Sequence, residues 1–126
     1  QKDGAIATIT INRTEKRNSL TTETYAEIAQ ALDEAVKDSE VRVAVLTGAG
    51  DRVFASGQDL RFTLQSSPAQ FREYLEQNNA TRDKIRFLDK PVIGRINGDA
   101  FGGAFGLPSP ATWLWRPARR ASPTAR

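Results

Sequence analysis

The chain is 126 residues long and 39% apolar, with 18 basic and 15 acidic residues and neither cysteine nor histidine. This length suits one small domain around one core, and the missing residue types exclude a disulfide frame, thiolate chemistry, Ser-His-Asp triads and most zinc sites. Four of the 18 basic residues (Arg116, Arg119, Arg120, Arg126) crowd the last 20 positions, leaving 14 against 15 acids, so the net charge of +3 gives no argument for nucleic-acid binding. Catalysis would have to rest on carboxylates, backbone amides, Lys, Tyr or hydroxyls. No apolar run reaches membrane-spanning length and no signal peptide is evident, so a cytoplasmic location is expected.

Ala5 to Ile11 alternates apolar residues with Thr and predicts a strand. Asn12 to Ser19 is a polar loop carrying Lys16 and Arg17. From Thr22 to Lys37, Tyr25, Ile28, Ala29, Leu32, Ala35 and Val36 recur at helical spacing. Val41 to Leu46 is a β-branched strand that ends in a turn over Thr47 to Asp51. Strand, helix and strand in this order predict a βαβ unit with parallel strands. Arg52 to Leu60 reads as a loop of small residues, Ala55-Ser56-Gly57-Gln58-Asp59 at its centre. Ser67, Pro68 and Gln70 form a helix-start signature. Phe71, Tyr74, Leu75, Ile85 and Leu88 carry that helix's apolar stripe, interrupted by Asn78 and Arg82, and Lys90-Pro91 closes it. Val92 to Ile96 is the third strand, and Asn97-Gly98 predicts a turn at positive φ.

Gly102-Gly103 opens a short apolar helix that Pro108 stops. Trp113, Trp115, Pro117, Pro123 and the arginines beyond show neither strand nor helix period. With GC-rich codons, one base inserted after the Leu107 codon turns the next residues into an apolar helix-to-strand sequence. Residues 108–126 are therefore read as an atypical Pro/Arg/Trp tail, out of frame with a domain at residues 1–107.

Two loops stand out for chemistry. The glycine pair leaves helix-start N–H groups bare, where the helix dipole adds partial positive charge. Ala55 to Asp59 offers a second set of approachable amides. Two amides from two loops suit an oxyanion hole, and both loops follow strands, at the ends where open α/β sheets bind ligands. Gly48-Ala49-Gly50 lacks the third glycine of a dinucleotide loop, and no Gly-Lys-Ser/Thr phosphate loop exists. Lys16 and Arg17 suit a phosphate, or a merely solvated loop. Asp59 and Asp99 are the carboxylates inside the glycine-rich loops, fitting acid/base work or turn capping.

Four segments carry a resemblance. They are Ile9-Thr10-Ile11-Asn12-Arg13 with Lys16-Arg17-Asn18-Ser19-Leu20; Val41 to Gly48; Phe54-Ala55-Ser56-Gly57-Gln58-Asp59-Leu60; and Lys90-Pro91-Val92-Ile93 through Asn97-Gly98 to Gly102-Gly103. In order and spacing they resemble the N-terminal half of the enoyl-CoA hydratase/isomerase (crotonase) family. The resemblance implies a partial α/β, crotonase-like ββα spiral, an acyl-CoA thioester substrate and no cofactor beyond that coenzyme A. It implies trimers or hexamers for a full-length parent, and neither nucleic-acid nor membrane partners nor a metal. By motif position, the Ser56 and Gly103 amides would form the oxyanion hole and stabilise an enolate-like intermediate in hydration or double-bond isomerisation. Lys16, Arg17, Ser19, Ser56, Gly57, Gln58 and Asp59 would line the coenzyme A site. The family's hydratases carry a catalytic glutamate where this chain has Gly106, and a second beyond the matching region. The alternative is therefore a non-catalytic acyl-CoA-binding or assembly module.

Overall fold

The structure is a computed structural model, described for residues 1–107 and the strand at residues 113–115. A two-residue strand, β1 (Lys2–Asp3), turns back antiparallel onto β2 (Ile6–Ile11). After the one-turn 3-10 helix at Thr14–Lys16 comes α1 (Thr22–Lys37), then β3 (Val43–Gly48). β2 and β3 pair in parallel from Ile6–Val43 to Ile11–Gly48. β4 (Val53–Ala55), α2 (Leu60–Gln65), α3 (Pro68–Arg86), β5 (Val92–Arg95), β6 (Asp99–Ala100), α4 (Gly103–Gly106) and β7 (Trp113–Trp115) complete the order. The main sheet runs β1-β2-β3-β5-β7, and β4 and β6 form a separate parallel pair.

Local chemistry sets the helix ends. Thr21 caps α1 by accepting the Thr24 N–H, and the Thr24 side chain answers to the Thr21 N–H. At the other end Lys90 Nζ donates to the carbonyls of Ala35 and Asp38, at 2.8 and 2.7 Å, meeting the negative pole of the helix. Ser67 and Gln70 close a full capping box on α3, with Pro68 at its first position. The buried face of α1 (Tyr25, Ile28, Leu32) joins Ile11, Ala44, Leu46, Phe54, Ile85 and Val92 in one core. Lys84 and Asp33 tie α3 to α1 at 2.6 Å.

Several expectations need correction. Leu60, read as the end of a loop, instead starts a helix over Leu60–Gln65 that no pattern announced: Asp59 caps it by accepting the Phe62 N–H at 3.0 Å. On α3 Leu75 is exposed, and Thr81 holds the inward position, its hydroxyl donating to the Tyr25 carbonyl at 3.0 Å. Neither Asn97 nor Gly98 has positive φ. Gly98 is required instead by close approach, since a Cβ there would stand 2.4 Å from the Arg52 carbonyl. Asn97 accepts the Gly48 N–H and donates to the Gly50 carbonyl, joining the ends of β3 and β5. Residues 113–115, read as part of an aperiodic tail, form a strand parallel to β5. Three residues are too short to show a period. The rest of the stretch 108–126 lies outside the described residues.

Candidate functional site

Three segments that each follow a strand's carboxyl end meet around a cleft of about 900 Å³: Arg13 to Thr21 after β2, Ser56 to Gln65 after β4, and Phe101 to Gly103 after β6. Backbone bonds lock the first two together. The Ser56 N–H donates to the Arg17 carbonyl at 3.1 Å, the Leu20 N–H to the Gly57 carbonyl at 2.7 Å, and the Asp59 N–H to the Leu20 carbonyl at 3.1 Å. The Phe101 N–H donates to the Ala55 carbonyl at 3.2 Å and attaches the third segment. Gly57 sits at φ +91, and a Cβ on it would lie 2.7 Å from the Phe101 oxygen and 3.5 Å from the Gly103 nitrogen. Only a residue without a side chain lets these walls approach so closely.

Lys16, Arg17, Ser19, Ser56, Gly57, Gln58, Asp59 and Gly103 all line this cleft. The N–H of Ser56, however, is engaged by Arg17 rather than open to a ligand. Gln58 is placed differently. Its preceding carbonyl, Gly57 O, points at Leu20, and in a trans peptide the attached N–H points the opposite way. The Gln58 N–H therefore faces away from the Leu20 wall. The Gly103 N–H begins α4, where an N–H has no partner inside the helix. Neither of these two amides has an acceptor among the described residues.

Asp59 organises the wall. Its carboxylate accepts from the Phe62 N–H, from Ser19 Oγ at 3.1 Å and from Arg13 Nη2 at 3.5 Å. The Phe62 hydrogen bond, helped by Ser19 and the Arg13 charge, holds its pKa below the ordinary aspartate value despite partial burial. An aspartate so occupied is a cap and a tie, not a free general base. Asp99 is exposed in β6 and does not line the cleft. Buried Asn18 anchors the loop from beneath. Its Nδ2 donates to the carbonyls of Ala49, Val53 and Phe54, and its Oδ1 accepts the Arg13 N–H at 2.9 Å.

Behind Gly103 lies a group that pattern reading passed over. Asn78 and Arg82, counted as breaks in an apolar stripe, continue Tyr74 at i+4 and i+8 and face inward. Arg82 Nη2 donates to the Gly103 carbonyl at 3.1 Å. The visible signal was that spacing: polar residues one turn apart on an otherwise buried face. Among the described residues no cluster of ligating side chains suits a metal ion, and no helix is long and apolar enough to cross a membrane.

A mostly parallel α/β sheet with a satellite two-stranded pair, and open amides from two strand-end loops, define the class: a crotonase-like fold. The enoyl-CoA hydratase/isomerase family profile matches residues 1–112, and the chain belongs to that family. It is 35% identical over 103 residues to the short-chain-enoyl-CoA hydratase of Clostridium acetobutylicum, covering 82% of this chain and 40% of that protein. It is 34% identical over 113 residues to the carnitinyl-CoA dehydratase of Escherichia coli K12, covering 90% and 42%. Among solved structures, an enoyl-CoA hydratase from Bacillus anthracis superposes with a TM-score of 0.86 at 28% identity, over 92% of this chain and 45% of that one. An enoyl-CoA hydratase/carnithine racemase from Magnetospirillum magneticum gives 0.83 at 31% identity, over 91% and 44%. The chain thus spans about two fifths of the length of the curated relatives it matches.

Proposed function

We propose that this chain binds an acyl-CoA thioester and polarises its carbonyl in an oxyanion hole, stabilising an enolate-like intermediate in hydration or double-bond isomerisation. The observation that carries this reading is the pair of open amides from facing loops. The Gly103 N–H is one donor. The Gln58 N–H replaces that of Ser56 as the other, because Ser56 donates internally. Lys16 and Arg17 at the cleft's rim suit the phosphates of coenzyme A, and no other cofactor is required. Assembly as trimers or hexamers is part of the proposal and rests on the family likeness.

The test is spectroscopic. Acetoacetyl-CoA gains near-ultraviolet absorbance when its enolate forms, so binding in an oxyanion hole should raise that signal at neutral pH. Gly103→Pro is the informative variant. Proline is tolerated at a first helical position yet carries no N–H. It should cost on the order of 3 kcal/mol of oxyanion stabilisation, lowering the enolate fraction about a hundredfold. Tight binding with no enolate signal would favour the non-catalytic acyl-CoA-binding module. No binding at all would end the acyl-CoA reading.

A further inference from the structure

Arg82 leans from α3 onto α4. A Cβ built on Gly106 would stand 2.9 Å from both terminal guanidinium nitrogens and 3.0 Å from Cζ, so the arginine head fills the space a side chain at 106 would take. Arg82 Nε is buried and without a hydrogen-bond partner. Among the described residues no carboxylate lies within ion-pair distance of this guanidinium. The Tyr25 hydroxyl, on α1, is equally buried; it makes no hydrogen bond of good geometry, and the groups facing it are the Tyr74 hydroxyl and the Arg82 guanidinium. A Cβ on Gly103 would stand 3.8 Å from Arg82 Nη2 and 3.9 Å from the Tyr25 oxygen, so both groups sit against the same turn. Burial pushes the Tyr25 phenol above its ordinary pKa, which keeps it protonated and able to donate. Asn78, one turn earlier on α3, has an unpartnered buried Oδ1, and its amide can turn to offer Nδ2 instead.

A part-buried guanidinium whose Nε is left over after the Gly103 bond, beside a buried hydroxyl without a well-aligned acceptor, is under-satisfied, and an anion is the group that satisfies both. Nothing on α1, α3 or α4 supplies one. Gly103 lines the cleft and its carbonyl takes the Arg82 bond, so the cluster stands directly behind the cleft wall that carries the proposed oxyanion donor. We propose that the acyl group bound here carries a carboxylate a few carbons beyond its thioester, and that this carboxylate docks on Arg82 and the Tyr25 hydroxyl. The substrate class is then the CoA thioester of a short dicarboxylic acid, with Arg82 as the specificity-determining residue. This rests on the acyl-CoA reading of the cleft.

Titration calorimetry with succinyl-CoA and butyryl-CoA, which share the coenzyme and chain length and differ in the terminal carboxylate, separates the two ideas. The full chain should bind succinyl-CoA about tenfold more tightly, the scale of a charge-assisted hydrogen bond. In Arg82→Gln the ratio should fall to about one, and in Arg82→Lys part of the preference should return. A ratio within each variant is insensitive to modest loss of folded protein, which circular dichroism would report. Equal affinity in the unaltered chain overturns the inference while leaving the acyl-CoA reading intact. So does a preference that survives Arg82→Gln, since another cation would then read the carboxylate. Failure to bind either thioester overturns both.

Discussion

Asn18 shows how much one side chain can hold. It is buried, its backbone sits at φ +52, and its amide joins four backbone groups from three segments of the chain. Asparagine is among the few residues that accept left-handed backbone at low cost, so conformation and hydrogen bonding demand the same residue. Asn18→Ala would strand the Ala49 and Phe54 carbonyls and the Arg13 N–H, leave the Val53 carbonyl only its longer bond from Asn97, and add a backbone penalty. A loss on the order of 3 kcal/mol is expected in urea unfolding, with the slope unchanged. A loss below about 1 kcal/mol would mean that water replaces those bonds. Asn18 lies in a segment of family resemblance, but no periodicity gave it this role, because its carbonyl partners lie more than 30 residues along the chain. Gly103, by contrast, was legible: a glycine pair before an apolar segment announces itself.

At the scale of elements, legibility follows length and capping chemistry. The bounds of α1 were readable because sixteen residues carry one stripe; its Thr21 cap is a finding of the structure. The start of α3 was readable from Ser67, Pro68 and Gln70 alone. Six-residue α2 was not, because Leu60 and Leu64 face solvent and leave no stripe to detect. Three-residue β4 and two-residue β6 are fixed by pairing with each other, which is tertiary information. The same logic explains the misreading of Asn78 and Arg82: a periodicity rule counts polar residues as outward, and here Arg82 reaches α4 and the Asn78 Oδ1 is buried. The α3 cap offers a clean check. Ser67→Ala removes one acceptor for the Gln70 N–H at an exposed site and should cost about 1 kcal/mol of stability. Ser67→Asp should restore it, read as a shift in thermal midpoint. Equal midpoints for Ser67→Ala and the parent would mean that Pro68 and packing fix the helix start without the cap.

For the molecule as a whole, the cleft exists only while its walls stay joined, and Asp59 is the titratable group at the seam. It links the loop after β2, through Arg13 and Ser19, to the start of α2. Its pKa in the folded chain lies below the unfolded value, chiefly through the Phe62 N–H. Stability from this linkage is therefore fully present above the unfolded pKa, about 4, and is lost as pH falls through the folded pKa. Asp59→Asn keeps an oxygen for the Phe62 N–H but removes the charge that Arg13 and Ser19 address. Urea midpoints of the two proteins should differ at pH 6 and converge as pH falls below about 4, because the parent then also carries a neutral group. Acyl-CoA affinity should follow the same curve, since the cleft wall is what the carboxylate fastens. Midpoints separated by the same amount at every pH would show that Asp59 acts through shape alone. The walls would then be held by the backbone bonds from Ser56, Leu20 and Asp59, and acid would leave the cleft unchanged.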